Sequence, residues 1–232
     1  MTNWYKNTTY SSWNLKTPEN IYPQIDNIVN NIVDFYRTLK EVPSTPLKIG
    51  TVSFLDEYSG NNIFSDIYIN NKMVEDDGGT FAKRDRDNGN IYFNIFKEAI
   101  LNGVNEQYLN TLRNFLRGNL IHELSHSIDP KIVDLDKTYN LYDYLKPTEF
   151  DAYSKEITDF IKKAYQDKNN REILKDWIVS SDFGIYSEEI NNILNMPSPL
   201  FQIINIWKNN NLKFYRKLRQ RIANEVFYEN SF

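Results

Sequence analysis

The chain has 232 residues, of which 41 % are hydrophobic and 15 % aromatic, and its formal net charge is −4. This composition excludes an intrinsically disordered chain, and the length fits one domain or one domain in two lobes. Cysteine is absent, which excludes disulfides, thiolate ligands and a cysteine nucleophile, so any metal depends on histidine and carboxylate side chains.

The N-terminal residues lack the apolar core of a signal peptide, and no apolar run reaches membrane-spanning length. We therefore expect cytoplasmic synthesis and no membrane partner, with packaging in a virus particle or non-classical export left open. Residues 1–19 have no clean hydrophobic period and are interpreted as an arm on the surface. No pattern determines the oligomeric state.

The first periodic segment lies between Pro18 and Pro43. Its apolar residues recur at helical spacing, so we expect an amphipathic helix that backs a β-sheet and ends before Pro43 and Pro46. The residues of this apolar face are Ile21, Ile25, Ile28, Val29, Ile32, Val33, Phe35, Tyr36 and Leu39.

Four segments that favour β-strands follow this helix. Residues 47–55 are rich in β-forming side chains, residues 63–70 alternate with a period of two, and residues 80–84 predict a short strand. Residues 90–96 alternate again and allow two interpretations. One is the edge strand that borders a substrate cleft, where a peptide could pair with the backbone. The other is an ordinary interior strand.

Two charged segments have both a binding and a structural interpretation. Glu75-Asp76-Asp77-Gly78-Gly79 offers hard oxygen ligands for Ca²⁺, but its spacing differs from an EF-hand loop and favours a solvated hairpin loop. Basic residues in the last predicted helix could bind nucleic acid, but the acidic chain favours a solvated face, so no nucleic acid partner is expected. These basic residues are Lys213, Arg216, Lys217, Arg219 and Arg221.

The only histidines, His122 and His126, are four residues apart. On the helix predicted from about Asn105 to Ile128, both imidazoles lie on one face, where they can bind one Zn²⁺. Glu123, about 100° around the helix from His122, points beside the ion and suits a general base acting on a water that zinc activates. A histidine pair without a ligand role is the alternative. The predicted core stripe comprises Tyr108, Leu112, Phe115, Leu116, Leu120, Leu124 and Ile128.

The chain after this helix predicts a loop and then only helices. The loop covers residues 129–147 and contains Tyr139, Tyr142 and Tyr144. Pro147 ends the loop, and Thr148 is a favourable N-cap for a helix over residues 149–166. Further helices are predicted over residues 170–180, 187–195, 198–209 and 211–229.

A catalytic zinc keeps three protein ligands and one open position, so the third ligand here is a carboxylate. Glu149 is preferred because it begins a helix after a loop that is long enough for the chain to reverse. A first-turn carboxylate is also favoured by the helix dipole, which is compatible with ligation. Asp151 is the second candidate, and only one of the two can readily face the metal. The further candidates are Asp143, Glu156 and Asp129.

His122-Glu123-x-x-His126 on a long helix, preceded by strands and followed by Pro147-Thr148-Glu149-Phe150-Asp151-Ala152, resembles zincin metallopeptidases of the gluzincin type. The resemblance extends to small zincin-like proteins of bacteria and phages and covers roughly residues 63–159. It implies an α+β zincin-like fold. Residues 1–128 would form a lobe with a small twisted sheet, a backing helix and the HExxH helix. Residues 129–232 would form an all-helical lobe carrying Glu149.

One position departs from the larger gluzincins. Their Glu-x-x-x-Asp pattern supplies an aspartate that accepts a hydrogen bond from a zinc-bound histidine, whereas Tyr153 holds that position here. A ligating imidazole normally donates its other N–H to such an acceptor, so Asp129 or a backbone carbonyl is the expected substitute.

These features predict a zinc metallopeptidase that hydrolyses peptide bonds of a protein or peptide substrate with Glu123 as general base. Because there is no third histidine, the donor to the oxyanion is expected to be Tyr144, then Tyr142, then Tyr153. One alternative is a zincin-like structural or interaction module, for instance in a virion or an effector, with weak or no activity. A second alternative is a peptidoglycan-type amidase or endopeptidase.

Overall fold

The structure, a computed structural model, describes residues 21–55, 62–77, 81–85, 87–128, 145 and 147–228. The chain divides into two compact units, residues 17–130 and residues 131–232 with residues 1–16. Each unit is described by itself, and the predicted lobes at 1–128 and 129–232 stay a prediction. The predicted surface arm and the tyrosines of the 129–147 loop lie outside the described residues.

The first unit combines helices with a four-stranded sheet. A short 3₁₀ turn at Glu75–Asp77 precedes the third strand. The elements in chain order are α1 (Ile21–Thr38), β1 (Leu47–Leu55), β2 (Asn62–Met73), β3 (Ala82–Arg84), β4 (Ile91–Ile95), α2 (Lys97–Leu101) and α3 (Glu106–Ile128).

The sheet is mixed, with strand order β1-β2-β4-β3. β1 and β3 pair antiparallel with their neighbours, whereas β2 and β4 are parallel. β4 is therefore an interior strand, so the edge-strand interpretation of residues 90–96 is wrong and the interior one is confirmed. The reason is the tight turn before β4, where Gly89 has a φ of 73° and lets β3 fold back along the outer side of β4.

The core of this unit lies on one face of the sheet, against α1 and α3. Alternate residues in the middle of β2 are buried, as the period of two requires, whereas β4 buries Asn94 as well as Ile91, Phe93 and Ile95. The predicted stripe of α3 is partly wrong, since Tyr108 and Phe115 are only partly buried while Leu109 and Ile121 are buried. The buried residues of α3 with apolar side chains are Leu109, Leu112, Leu116, Leu120, Ile121 and Leu124.

The second unit is helical in the residues that the structure describes. Its elements are α4 (Pro147–Tyr165), a 3₁₀ turn (Lys168–Asn170), α5 (Arg171–Val179), α6 (Glu188–Leu194), α7 (Ser198–Asn210), α8 (Leu212–Ile222) and a π-helical segment (Ala223–Tyr228). Its core includes Phe150, Ile157, Ile161, Leu174, Phe183, Phe201, Ile204, Trp207, Leu218 and Val226.

The predicted fold class is confirmed at the level of an α+β protein, a four-stranded mixed sheet with helices and a largely helical C-terminal part. The start of α4 is corrected, because the helix begins at Pro147 and not at an N-cap Thr148. Proline suits the first helical position, where its missing N–H would have no helical partner. Across the described part of the chain, no helix is both long and apolar enough to cross a membrane.

The acidic segment Glu75–Asp77 is a 3₁₀ turn in which Asp77 has partners from the protein itself. The side-chain amide of Asn94 donates to Asp77 Oδ2 at 2.9 Å, and Lys72 Nζ lies 3.8 Å from Oδ1. Asn94 is buried on β4, so this contact fastens the turn to the sheet. The contacts support the structural interpretation of these three residues. Gly78 and Gly79 lie outside the described residues.

Gly184 is a position where we expect a small substitution to destabilise the helical unit. Its φ is +90°, and a Cβ built there would lie 2.4 Å from Cγ2 of Ile204. Gly184→Ala should lower the free energy of unfolding by about 2–5 kcal/mol, the sum of a left-handed backbone cost and overpacking. Urea denaturation followed by circular dichroism measures the loss.

Gly103→Ala is the matched control for the backbone cost. Gly103 has a φ of +68°, but no atom lies within 4 Å of a Cβ built there. The control should lose only about 1–2 kcal/mol. Equal losses for Gly184→Ala and Gly103→Ala would contradict the packing argument at Ile204.

Candidate metal centre

α3 presents His122 and His126 one turn apart on the same side. Their Nε2 atoms are 3.2 Å apart, and the two rings lie at 80° to each other. His122 is only 9 % exposed, and His126 is partly buried. The histidine pair predicted from the four-residue spacing therefore forms on the described helix.

The separation of the two Nε2 atoms fits one shared zinc ion. Tetrahedral zinc binds imidazole nitrogen at about 2.0–2.1 Å, so two such ligands on one ion are about 3.3 Å apart. A hydrogen bond between two neutral imidazoles would give a similar distance. The pair alone therefore fits both a ligand role and a purely structural contact, and a further ligand is needed to distinguish them.

Glu149, in the first turn of α4, is a carboxylate that could provide a third ligand atom. The ligand atoms of His122, His126 and Glu149 all lie within 4.8 Å of one another, in a partly buried group. Two imidazoles and one carboxylate are the donor set of catalytic zinc sites that keep an open position for water. The donor set thus fits zinc and is compatible with zincin-like geometry, while the binding of an ion stays a prediction.

Asp151, the second candidate for the third ligand, has both carboxylate oxygens engaged within the helical unit. Arg221 Nη2 donates to Oδ1 at 2.8 Å, and Lys155 Nζ lies 2.7 Å from Oδ2. Burial by itself raises the pKa of Asp151, but the charges of Lys155 and Arg221 outweigh it and hold that pKa below its ordinary value. Asp151 is therefore ionised and tied to α8, which favours a structural role.

Arg221 extends this cluster along α4 and α8. It donates to Ser154 Oγ and, at 3.4 Å, to the main-chain oxygen of Asp151, and its Nε lies 3.3 Å from Glu225. All of Asp151, Ser154, Lys155 and Arg221 are buried. The cluster fixes the first two turns of α4, the part of the helix that carries Glu149.

The sheet supplies a hydrogen-bond donor to Glu123. The main-chain N–H of Arg84 on β3 donates to Glu123 Oε2 at 3.1 Å. The charge of Glu123 also acts on the half-buried guanidinium of Arg84. Sequence reasoning missed Arg84, because its contact with Glu123 depends on how β3 lies against α3 and has no local signal.

The other predicted site residues have different positions. Tyr153, the third candidate for the oxyanion donor, is partly buried and packs against the hydrophobic core of the helical unit. Glu156 is buried on α4, seven residues or about 10 Å along the helix from Glu149. The remaining candidates, Tyr144, Tyr142, Asp143 and Asp129, lie outside the described residues.

Comparison of the chain with protein-family models, curated proteins and solved structures finds no match.

Asp151 provides a test of the buried charge cluster. Asp151→Ala leaves Lys155 and Arg221 buried without the carboxylate that they share, so we expect a loss of about 3–5 kcal/mol in the free energy of unfolding. The control Asp34→Ala removes a solvent-exposed ion pair with Arg37, 2.6 Å long, and should lower the free energy of unfolding much less than Asp151→Ala does. Chemical denaturation compares the two, and similar losses would contradict a buried cluster that anchors α4.

Zinc affinity tests the three ligands. Loss of a hydrogen bond that supports a ligand weakens metal binding about 10–100-fold. His122→Ala and Glu149→Gln each remove a ligand, so each should weaken zinc binding by more than this. The matched control is Glu172→Gln, because Glu172 is an exposed carboxylate in the first turn of α5. Competition with a chromophoric chelator measures the affinities. Wild-type protein that binds no stoichiometric zinc would contradict the site.

Proposed function

We propose that the protein is a zinc-dependent metallopeptidase of the gluzincin-like zincin type, which hydrolyses peptide bonds. The observation that carries this proposal is the group of His122, His126 and Glu149 beside Glu123, with the Nε2 atoms of the histidines 3.2 Å apart. A histidine pair that served packing alone would need no carboxylate near the same nitrogen atoms.

His122, His126 and Glu149 would hold the ion. When bound, zinc supplies Lewis acidity that polarises a carbonyl and lowers the pKa of water toward 7. Glu123 accepts the proton of the attacking water as its oxygen forms the bond to the carbonyl carbon. Glu123 then returns that proton to the departing nitrogen as the C–N bond breaks, so the carboxylate ends the cycle ionised as it began.

The position of Glu123 supports the role of base over that of ligand. It follows His122 directly and therefore lies about 100° away around α3. The Arg84 N–H holds one of its oxygens at β3. A carboxylate held beside the histidine pair would act on the attacking water, while His122, His126 and Glu149 would hold the ion.

A tetrahedral oxyanion needs a hydrogen-bond donor, and we propose Tyr144 for this role. Tyr153 packs against the core of the helical unit, which favours a structural role for that side chain. Tyr142 is the second choice. Such donors commonly contribute a factor of about 10²–10³ to the rate, so a tyrosine-to-phenylalanine change at the right position would be visible in kcat.

A peptide substrate is supported by the edge of the sheet. β3 pairs with β4 on one side, and no strand of the described residues pairs with its other side. An extended main chain can add to such an edge by backbone hydrogen bonds to β3 other than that of the Arg84 N–H, which donates to Glu123. The edge lies next to α3, since Arg84 on β3 contacts Glu123.

Glu123→Gln separates catalysis from metal binding. The variant should cleave a fluorescently labelled unfolded protein at least about 100-fold more slowly than wild type, because the amide of glutamine does not accept the proton of water. Its zinc affinity should match wild type, because Glu123 is not a ligand. Cleavage is measured with zinc-loaded protein and zinc content by mass spectrometry.

Three results distinguish the functional classes. Cleavage of unfolded protein by the wild type, together with loss of this cleavage in Glu123→Gln, would support the peptidase. Zinc binding without cleavage of unfolded protein or purified cell wall by the wild type would contradict it and favour a structural or interaction module. Digestion of cell wall but not of unfolded protein would move the assignment to a peptidoglycan hydrolase.

A further inference from the structure

We propose that Arg84 is a positioning residue for Glu123 and that its main-chain N–H, not its side chain, is the group that sets the orientation of the carboxylate. The proposal rests on the proposed peptidase function, in which Glu123 is the base. The N–H of Arg84 donates to Glu123 Oε2 at 3.1 Å, a contact between residues 39 positions apart in the sequence.

The register of β3 explains why this N–H is available. Asn94 N–H donates to the oxygen of Phe81 at 2.8 Å, and Asp85 N–H donates to the oxygen of Asn90 at 2.7 Å. In an antiparallel pair, residues that exchange hydrogen bonds with the partner alternate with residues whose N–H and C=O point away. Because Asp85 faces β4, its neighbour Arg84 directs its N–H to the open edge of the sheet.

The hydrogen bond acts on the softest torsion of Glu123. The terminal torsion of a glutamate side chain has broad, shallow minima, so packing of α3 alone does not set the plane of the carboxylate. A hydrogen bond to an ionised carboxylate is stronger than one between neutral groups, so the Arg84 N–H, 3.1 Å from Oε2, restricts this torsion.

The side chain of Arg84 adds charge near the same carboxylate. Burial lowers the pKa of Arg84, and the charges of Glu123 and Asp85 oppose that shift. Gly89 leaves room for the guanidinium, because a Cβ at Gly89 would lie 3.1 Å from Nη2. The main-chain and side-chain contributions come from one residue, and two variants can separate them.

Arg84→Ala keeps the N–H and removes the guanidinium, whereas Arg84→Pro removes both. Proline is tolerated on an edge strand where the N–H faces away from the ladder. Both variants should bind zinc as wild type does. The kcat of Arg84→Pro should be about 10-fold or more below that of Arg84→Ala, with similar KM, as expected for one hydrogen bond to a charged group.

Amide exchange provides a readout that needs neither zinc nor activity. In zinc-free protein, the Arg84 amide should exchange about 10-fold or more faster in Glu123→Ala than in wild type, because the acceptor is lost. The Ala82 amide, which also faces the open edge, is the internal reference and should not change. This arm needs only the Glu123 variant, so it stands even if Arg84→Pro fails to fold.

Faster exchange at Arg84 together with the lower kcat of the proline variant would support the proposal. Unchanged exchange at Arg84 in Glu123→Ala, or equal kcat for the two Arg84 variants, would overturn it. If exchange responds but the wild type cleaves no peptide bond, the hold of Arg84 on Glu123 is supported and the proposed function is overturned.

Discussion

The packing of α3 against the sheet is the constraint on which the candidate site depends. α3 buries six apolar residues of its core stripe, and burying each leucine or isoleucine contributes about 1.5–3 kcal/mol. Turning the helix by one residue, about 100°, would expose most of that stripe. The hydrophobic effect therefore sets the rotation of α3 about its axis. This rotation in turn determines the directions of the two imidazoles and of Glu123.

Local features of the site and fold could be predicted from the sequence. The bounds of β1 agree with the structure, because β-rich residues end at clear turn signals. The facing imidazoles follow from helical geometry over a single turn, which needs no knowledge of the rest of the chain. The place of Glu149 in the first turn of a helix also follows from its neighbours, although the helix starts two residues earlier than expected.

Non-local features could not be predicted. The strand order depends on whether β3 or β4 pairs with β2. Both orders preserve the same alternation of side chains along the strands. The contact between Arg84 and Glu123 requires the register of β3 as well as the rotation of α3. Likewise, the sequence predicts Asp151 as a possible ligand, and only the structure shows that Arg221, 70 residues later, binds this carboxylate. Sequence periodicity carries no information about such partners.

The ion pair between Asp151 and Arg221 also has a consequence for the order of events during translation. α4 leaves the ribosome before α8, so the carboxylate of Asp151 has no guanidinium from α8 to bind until α8 has been made. Until then, burying the first turns of α4 would leave that charge only partly compensated. The packing of the helix that carries Glu149 is therefore completed only after α8 has been made.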